Sequence, residues 1–128
     1  MAYAVRIRKH MMIAHSLPSE AFGPAQNMHG ATYVVDAEFT KTELDENNIV
    51  IDIDIALKTL AKAIAPLNYQ NLDELDMFKN KLTTTEFLAH HIHSEISNLI
   101  KGNFQGQLKI TLGESHIAWA SYEGPVHG

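Results

Sequence analysis

The sequence predicts an α+β fold: an antiparallel four-stranded sheet with two helices on one face. Three observations carry this. Apolar residues alternate with polar ones from Val5 to Ile13 and from Tyr33 to Phe39, the period of half-buried strands. They recur at helical spacing in Leu57, Leu60, Ala61 and Ile64 and again in Leu88, Ile92, Ile96 and Leu99. The order is strand, strand, short strand, helix, helix, strand, strand, in runs of each type and without the strict alternation of a parallel α/β sheet.

The chain has 128 residues, of which 45% are hydrophobic and 20% charged, which suits one domain over residues 1–128. A net charge of -5 with ten basic residues leaves no cationic surface for nucleic acid, and no nucleic-acid motif is present. There is no cysteine, so thiolate nucleophiles, thiolate metal sites and disulfides are excluded. The N-terminus opens on strand-like residues with no signal-peptide pattern, and no apolar run approaches the roughly 18 residues that cross a bilayer. A cytoplasmic protein without a membrane partner is expected.

In the first strand Val5, Ile7, Met11 and Ile13 alternate with Arg6, Arg8, His10 and Met12, and His15 shares the parity of Ile13. Pro18, Gly23 and Pro24 make Ser16 to Asn27 an irregular loop, long for a hairpin connection, and long loops tend to carry binding residues. In the second strand Tyr33, Val35, Ala37 and Phe39 share a face, and His29 and Ala31 join it if the strand reaches back that far. A polar turn from Thr40 to Asn48 precedes a short strand in which Ile49, Ile51 and Ile53 alternate with Val50, Asp52 and Asp54. Asp54 is the expected cap of the first helix, which Pro66 ends. Leu67 to Leu82 reads as a solvated connector with local ion pairs.

Thr83 and Glu86 have the spacing of a capping box for the second helix, which Lys101-Gly102 closes. Leu108, Ile110 and Leu112 alternate up to Gly113, and the pattern resumes through Ile117, Trp119 and Tyr122, predicting a hairpin whose break holds Glu114.

His15 and His29, brought together by antiparallel pairing, could hold a divalent metal, since neutral imidazole is a good zinc ligand. A zinc site needs three protein ligands, and the next position on that face is Ala31. The plainer reading is two strand-end histidines with satisfied hydrogen bonds. His90 and His93 lie one helical turn apart and could also share a metal, but no carboxylate of fixed geometry accompanies them, and on the wheel they flank the core. Glu114, taken alone, is a solvated turn residue.

The spacing of these residues resembles that of the 6-pyruvoyl-tetrahydropterin synthase and 6-carboxytetrahydropterin synthase family. Ile13-Ala14-His15-Ser16-Leu17 is similar to its A-H-x-L, and His29-Gly30-Ala31-Thr32-Tyr33 to its H-G-H-x-Y, with Ala31 in place of the last zinc histidine. The family cysteine falls on Ala25, and the Asp and His of its L-D-H fall on Asn68 and Tyr69. Ile49 to Asp52 resembles its V-x-D, Leu72-Asp73-Glu74 its L-N-D, and Thr83 to Ala89 its P-T-S-E-x-L-A. Leu112 to Ser115, with Tyr122 eight residues beyond Glu114, resembles its V-x-E-T strand.

The resemblance implies a tunnelling fold, in which sheets from several subunits join edge to edge into a barrel, with a trimer or hexamer expected and ligand pockets between subunits. It implies zinc as cofactor, held here by His15 and His29 with the third position vacant at Ala31. It also implies that Glu114 anchors a pterin or purine ring beside the Thr84/Thr85 turn. With Ala25, Asn68 and Tyr69 at the acid/base positions, the standard turnover on 7,8-dihydroneopterin triphosphate is not expected; removing one positioned acid or base costs about 10²–10⁴-fold. Two readings follow. One is a synthase-like protein that binds a pterin or purine without that activity. The other is a metal-dependent lyase or aldolase on a dihydroneopterin-type substrate, with Tyr69 as acid and a third metal ligand such as His10 or His116.

Overall fold

The computed structural model describes residues 1–126; the last two positions of the expected 1–128 domain lie outside the described residues. Its strands are β1 (Tyr3–His15), β2 (His29–Lys41), β3 (Gln70–Asn71), β4 (Gly106–Ser115) and β5 (Ala118–Val126), and its α-helices are α1 (Ile53–Ile64) and α2 (Thr85–Ile100). The sheet order is β3-β1-β2-β4-β5. β1 and β2 pair antiparallel along their whole length, from Tyr3 opposite Lys41 to His15 opposite His29. The sheet therefore has five strands and not four, and β3, two residues parallel to the end of β1, departs from the expected all-antiparallel pairing. So short a strand has no periodicity to read.

Period-two alternation builds the core as expected. Met11, Ile13, Tyr33, Val35, Ala37, Phe39, Leu108, Ile110 and Leu112 point to one face and are buried. Against them pack Ala56, Leu60, Ala63 and Ile64 of α1 and Leu88, Ala89, Ile92, Ile96 and Ile100 of α2. Each fully buried Leu or Ile contributes about 1.5–3 kcal/mol of hydrophobic stabilisation. Among the described residues no helix covers the other face. There Asp36 is buried beneath Arg8, whose Nε and Nη2 donate to its two carboxylate oxygens at 2.7 and 3.0 Å.

Several local expectations are corrected. Ile49 to Ile53 is not a strand: Val50 and Ile51 are both buried while Ile49 and Ile53 are exposed, so the burial does not alternate. The cap of α1 is Asp52, whose side chain accepts the Ile55 N–H, and not Asp54. The cap of α2 is Thr84, accepting from the Phe87 N–H, and not Thr83. Leu99 is exposed, and the buried stripe runs on to Ile100.

His93 faces the core, contrary to the wheel; its Nε2 donates to the Gly124 carbonyl at 3.1 Å and its ring meets Tyr122 edge-on. His90 is exposed and stacks on Tyr122, 4.3 Å between centroids. β4 continues past Gly113 to Ser115 through a bulge. Gly113 is a glycine because the Trp119 indole lies over it: a Cβ there would stand 2.8 Å from Trp119 Nε1. Ile117, Trp119 and Tyr122 are exposed and do not continue the core pattern.

Candidate functional site

The site is built where β1 ends, β2 begins and α2 starts. Directly opposed strand residues project to the same face, so the His15–His29 pair brings both imidazoles to the helix side of the sheet. Their rings meet edge to face with centroids 4.6 Å apart. His29 Nδ1 lies 2.8 Å from the Asn27 carbonyl. A carbonyl only accepts, so that nitrogen carries the proton and the Nε2 lone pair of neutral His29 is free.

His15 is buried, with Nδ1 3.0 Å from the Thr83 hydroxyl. Burial holds its pKa below the usual imidazole value, His29 adds to the depression, and Asp73, Thr83 and Glu114 act against it.

Thr83 was expected as a helix cap; freed of that task by Thr84, it holds His15 instead. The loop between β1 and β2 is pinned from below by Asp73, whose carboxylate accepts from the Ser16 backbone N–H at 3.1 Å and from the Ser16 hydroxyl. Ala25 sits within a 3₁₀ stretch, Glu20–Gln26, and its carbonyl accepts the Leu17 N–H. Gly23 in that stretch has φ +52°, a conformation strained for any L side chain.

The second cluster lies at the end of β4, three strands from the β3 edge. Glu114, at the bulge of β4, is exposed and accepts a 3.3 Å hydrogen bond from the Thr85 hydroxyl in the first turn of α2. Thr84 caps the same turn. Beneath them is Tyr33 of β2, fully buried, its hydroxyl without a hydrogen-bond partner. Burial pushes the Tyr33 pKa up; Thr85 opposes the rise, and Glu114 and Glu86 add to it. The sequence marked Tyr33 as core from its parity; that its oxygen would be stranded beside Glu114 has no sequence signal.

Tyr69 is brought to neither cluster's centre. It precedes β3 at the sheet edge with its side chain 77% exposed and φ at +63°, and its backbone N–H donates to the Met12 carbonyl at 2.6 Å. Asn68 beside it accepts the Met12 N–H at 3.0 Å.

The histidine pair does not form a complete metal site. Ala31 offers no donor at the next position of the face, and among the described residues no three His, Cys, Asp or Glu side chains converge as a metal would need. His10 pairs with Val34 in the middle of β1 and takes the opposite parity from His15. His116 lies exposed in the β4–β5 turn.

Residues 4–125 match the model of the family described as 6-pyruvoyl tetrahydropterin synthase. The chain belongs to that family. The fold is its tunnelling fold, and the match covers every strand and helix described above except the two end residues of β1 and β5. Among solved structures similar to this family member is the Caenorhabditis elegans 6-pyruvoyl tetrahydropterin synthase, with a TM-score of 0.84 at 22% identity, covering 97% of this chain and 96% of that one. The Plasmodium falciparum synthase gives 0.77 at 15% identity, covering 98% and 99%. The Plasmodium vivax synthase gives 0.74 at 15%, with the same coverage. At these identities the likeness is one of fold. Comparison with curated protein sequences gives no significant match.

Proposed function

We propose that this member of the 6-pyruvoyl tetrahydropterin synthase family binds a pterin or purine ring at Glu114 and does not carry out the standard synthase turnover. The observation that carries the reading is the Thr85–Glu114 hydrogen bond, which holds an exposed carboxylate at the end of β4 in reach of a ligand. A carboxylate can accept two parallel N–H bonds from the 2-amino group and adjacent ring nitrogen of such a ring. Charge-assisted bonds of this kind contribute about 1.5–3 kcal/mol each. Thr84 and Thr85 form the wall beside it.

The loss of turnover is argued from the side chains present. Ala25, Asn68 and Tyr69 stand at the family's Cys, Asp and His positions, and Asn68 is engaged with the Met12 backbone. Ala31 leaves His15 and His29 one ligand short of a zinc site. The protein acts as one domain, in a homo-oligomer of three or six subunits whose pockets lie between neighbours, in the cytoplasm. No helix among the described residues is long and apolar enough to cross a membrane.

A second reading, a metal-dependent lyase or aldolase on a dihydroneopterin-type substrate, is favoured by one observation: the His15–His29 contact with the free Nε2 of His29. In it Tyr69 is the acid, placed at the sheet edge three strands from Glu114 in the order β3-β1-β2-β4 and so reaching a different part of a bound substrate.

Titration calorimetry with pterin on the wild type and on Glu114→Ala tests the first reading. Binding that vanishes in the variant supports it, and no wild-type binding overturns it. Metal content of untagged protein tests the second: less than about a tenth of an equivalent sinks it.

A further inference from the structure

We propose that the Tyr33 hydroxyl is a ligand-contacting group of the Glu114 site: it donates a hydrogen bond to the ring oxo group next to the two N–H donors that Glu114 accepts, and so selects 4-oxo over 4-amino rings. The proposal rests on the ring-binding reading above and adds a specificity-determining residue to it.

Tyr33 has no exposed surface, and its hydroxyl is the only buried side-chain polar atom among the described residues that lacks a hydrogen-bond partner. Buried polar groups are satisfied in the great majority of cases, and an exception asks for a cause. Packing does not supply one, because a phenylalanine ring would fill the same space between β1, β4 and α2. What the hydroxyl has is position.

Tyr33 lies on the helix side of β2, two residues from Ala31 and four from His29. The register Val34 opposite Gly113 sets it next to the bulge from which Glu114 projects. The Thr85 hydroxyl, which donates to Glu114, is close enough to act on the Tyr33 hydroxyl as a hydrogen-bonding group but is outside bonding geometry with it, and the Tyr33 hydroxyl feels both Glu114 and Glu86. With burial pushing its pKa up, the phenol keeps its proton at neutral pH and is available as a donor.

The ring edge of a pterin or guanine presents an oxo acceptor, a ring N–H and an amino group in a row. Glu114 takes the two donors. A hydroxyl donor beside the carboxylate completes the match to the oxo oxygen, and binding relieves the unpaired hydroxyl at the same time. A 2,4-diaminopteridine puts an amino donor where the oxo stands, so the Tyr33 proton faces another donor. One neutral hydrogen bond of this kind corresponds to about three- to tenfold in affinity.

The test measures affinities of pterin and of 2,4-diaminopteridine for the wild type, Tyr33→Phe and Glu114→Ala, with the melting temperature of each protein. Tyr33→Phe is expected to weaken pterin binding by about three- to tenfold, to leave 2,4-diaminopteridine nearly unchanged, and to melt at or above the wild-type temperature. Glu114→Ala is expected to lose both ligands. If Tyr33→Phe binds both rings as the wild type does, or loses both equally, the proposal falls while the ring-binding reading stands. A melting temperature lowered by several degrees in Tyr33→Phe shows the hydroxyl bonded within the protein and also overturns the proposal. If the wild type binds neither ring, the reading and the proposal fall together.

Discussion

Thr83 Oγ1 stands 3.0 Å from Nδ1 of His15, joining residues 68 positions apart where α2 begins and β1 ends. Both are buried, so neither can exchange the partner for water. Thr83→Val keeps the shape and removes the hydroxyl. It is expected to lower stability by about 1–2 kcal/mol, read from the urea midpoint at constant m-value. An unchanged midpoint would mean that His15 is satisfied elsewhere.

The same logic applies at the β3 edge. Asn68→Ala removes the acceptor for the Met12 N–H, one of the ties between β1 and the turn before β3. A loss of about 0.5–1.5 kcal/mol is expected, together with faster amide exchange at Met12 and at Ile13 and Ala14, which pair with β3. Exchange at the centre of β2 should not change.

Stability should decline in mild acid. Burial holds His91 below the ordinary imidazole value of 6.5, His90 adds to this, and Glu95 at 3.6 Å works the other way. His15 is depressed in the same direction. Where the folded pKa lies below the unfolded one, the unfolded chain binds more protons in the window between them. The stabilisation is full above about 6.5 and is lost as the pH falls through that window. Urea midpoints at pH 7.5 and 5.5 measure it, and His91→Gln should show a shallower decline than the wild type.

Ala31→His tests whether the histidine pair is one side chain short of a metal centre. The new imidazole would share the face of His29 and stand opposite Ile13, beside His15. Close to one equivalent of zinc per chain is expected in the variant, with a melting temperature that rises on adding zinc and returns with a chelator. A variant that gains no zinc would show that the pair is set for another purpose.

Much of the fold was legible because it rests on local periodicity. Alternation from Val5 to Ile13 and from Tyr33 to Phe39, and the helical recurrence through Leu60 and Ile64 and through Leu88, Ile92 and Ile96, place the core residues without reference to anything distant. The misreadings fall where a non-local partner decides, or where neighbouring residues compete for one cap. Gly113 read as a turn because nothing in the sequence says that the Trp119 indole will lie across it. Thr83 read as a cap, since the S/T-x-x-E spacing cannot tell which of three consecutive threonines takes the first turn.

The sequence by itself determined the α+β architecture, the placing of His15 and His29 on one face, the vacancy at Ala31 and the family resemblance carried by spaced motifs, because each depends on residue type and interval along the chain. Only the tertiary structure decided that Thr83 holds His15, that Thr85 holds Glu114, that His93 turns to Gly124, and that the Tyr33 hydroxyl is buried without a partner. The physical reason is range. Periodicity is a property of a few consecutive residues, whereas a hydrogen bond is satisfied or stranded by whichever atoms the packing of α2 on the sheet brings within about 3 Å of it.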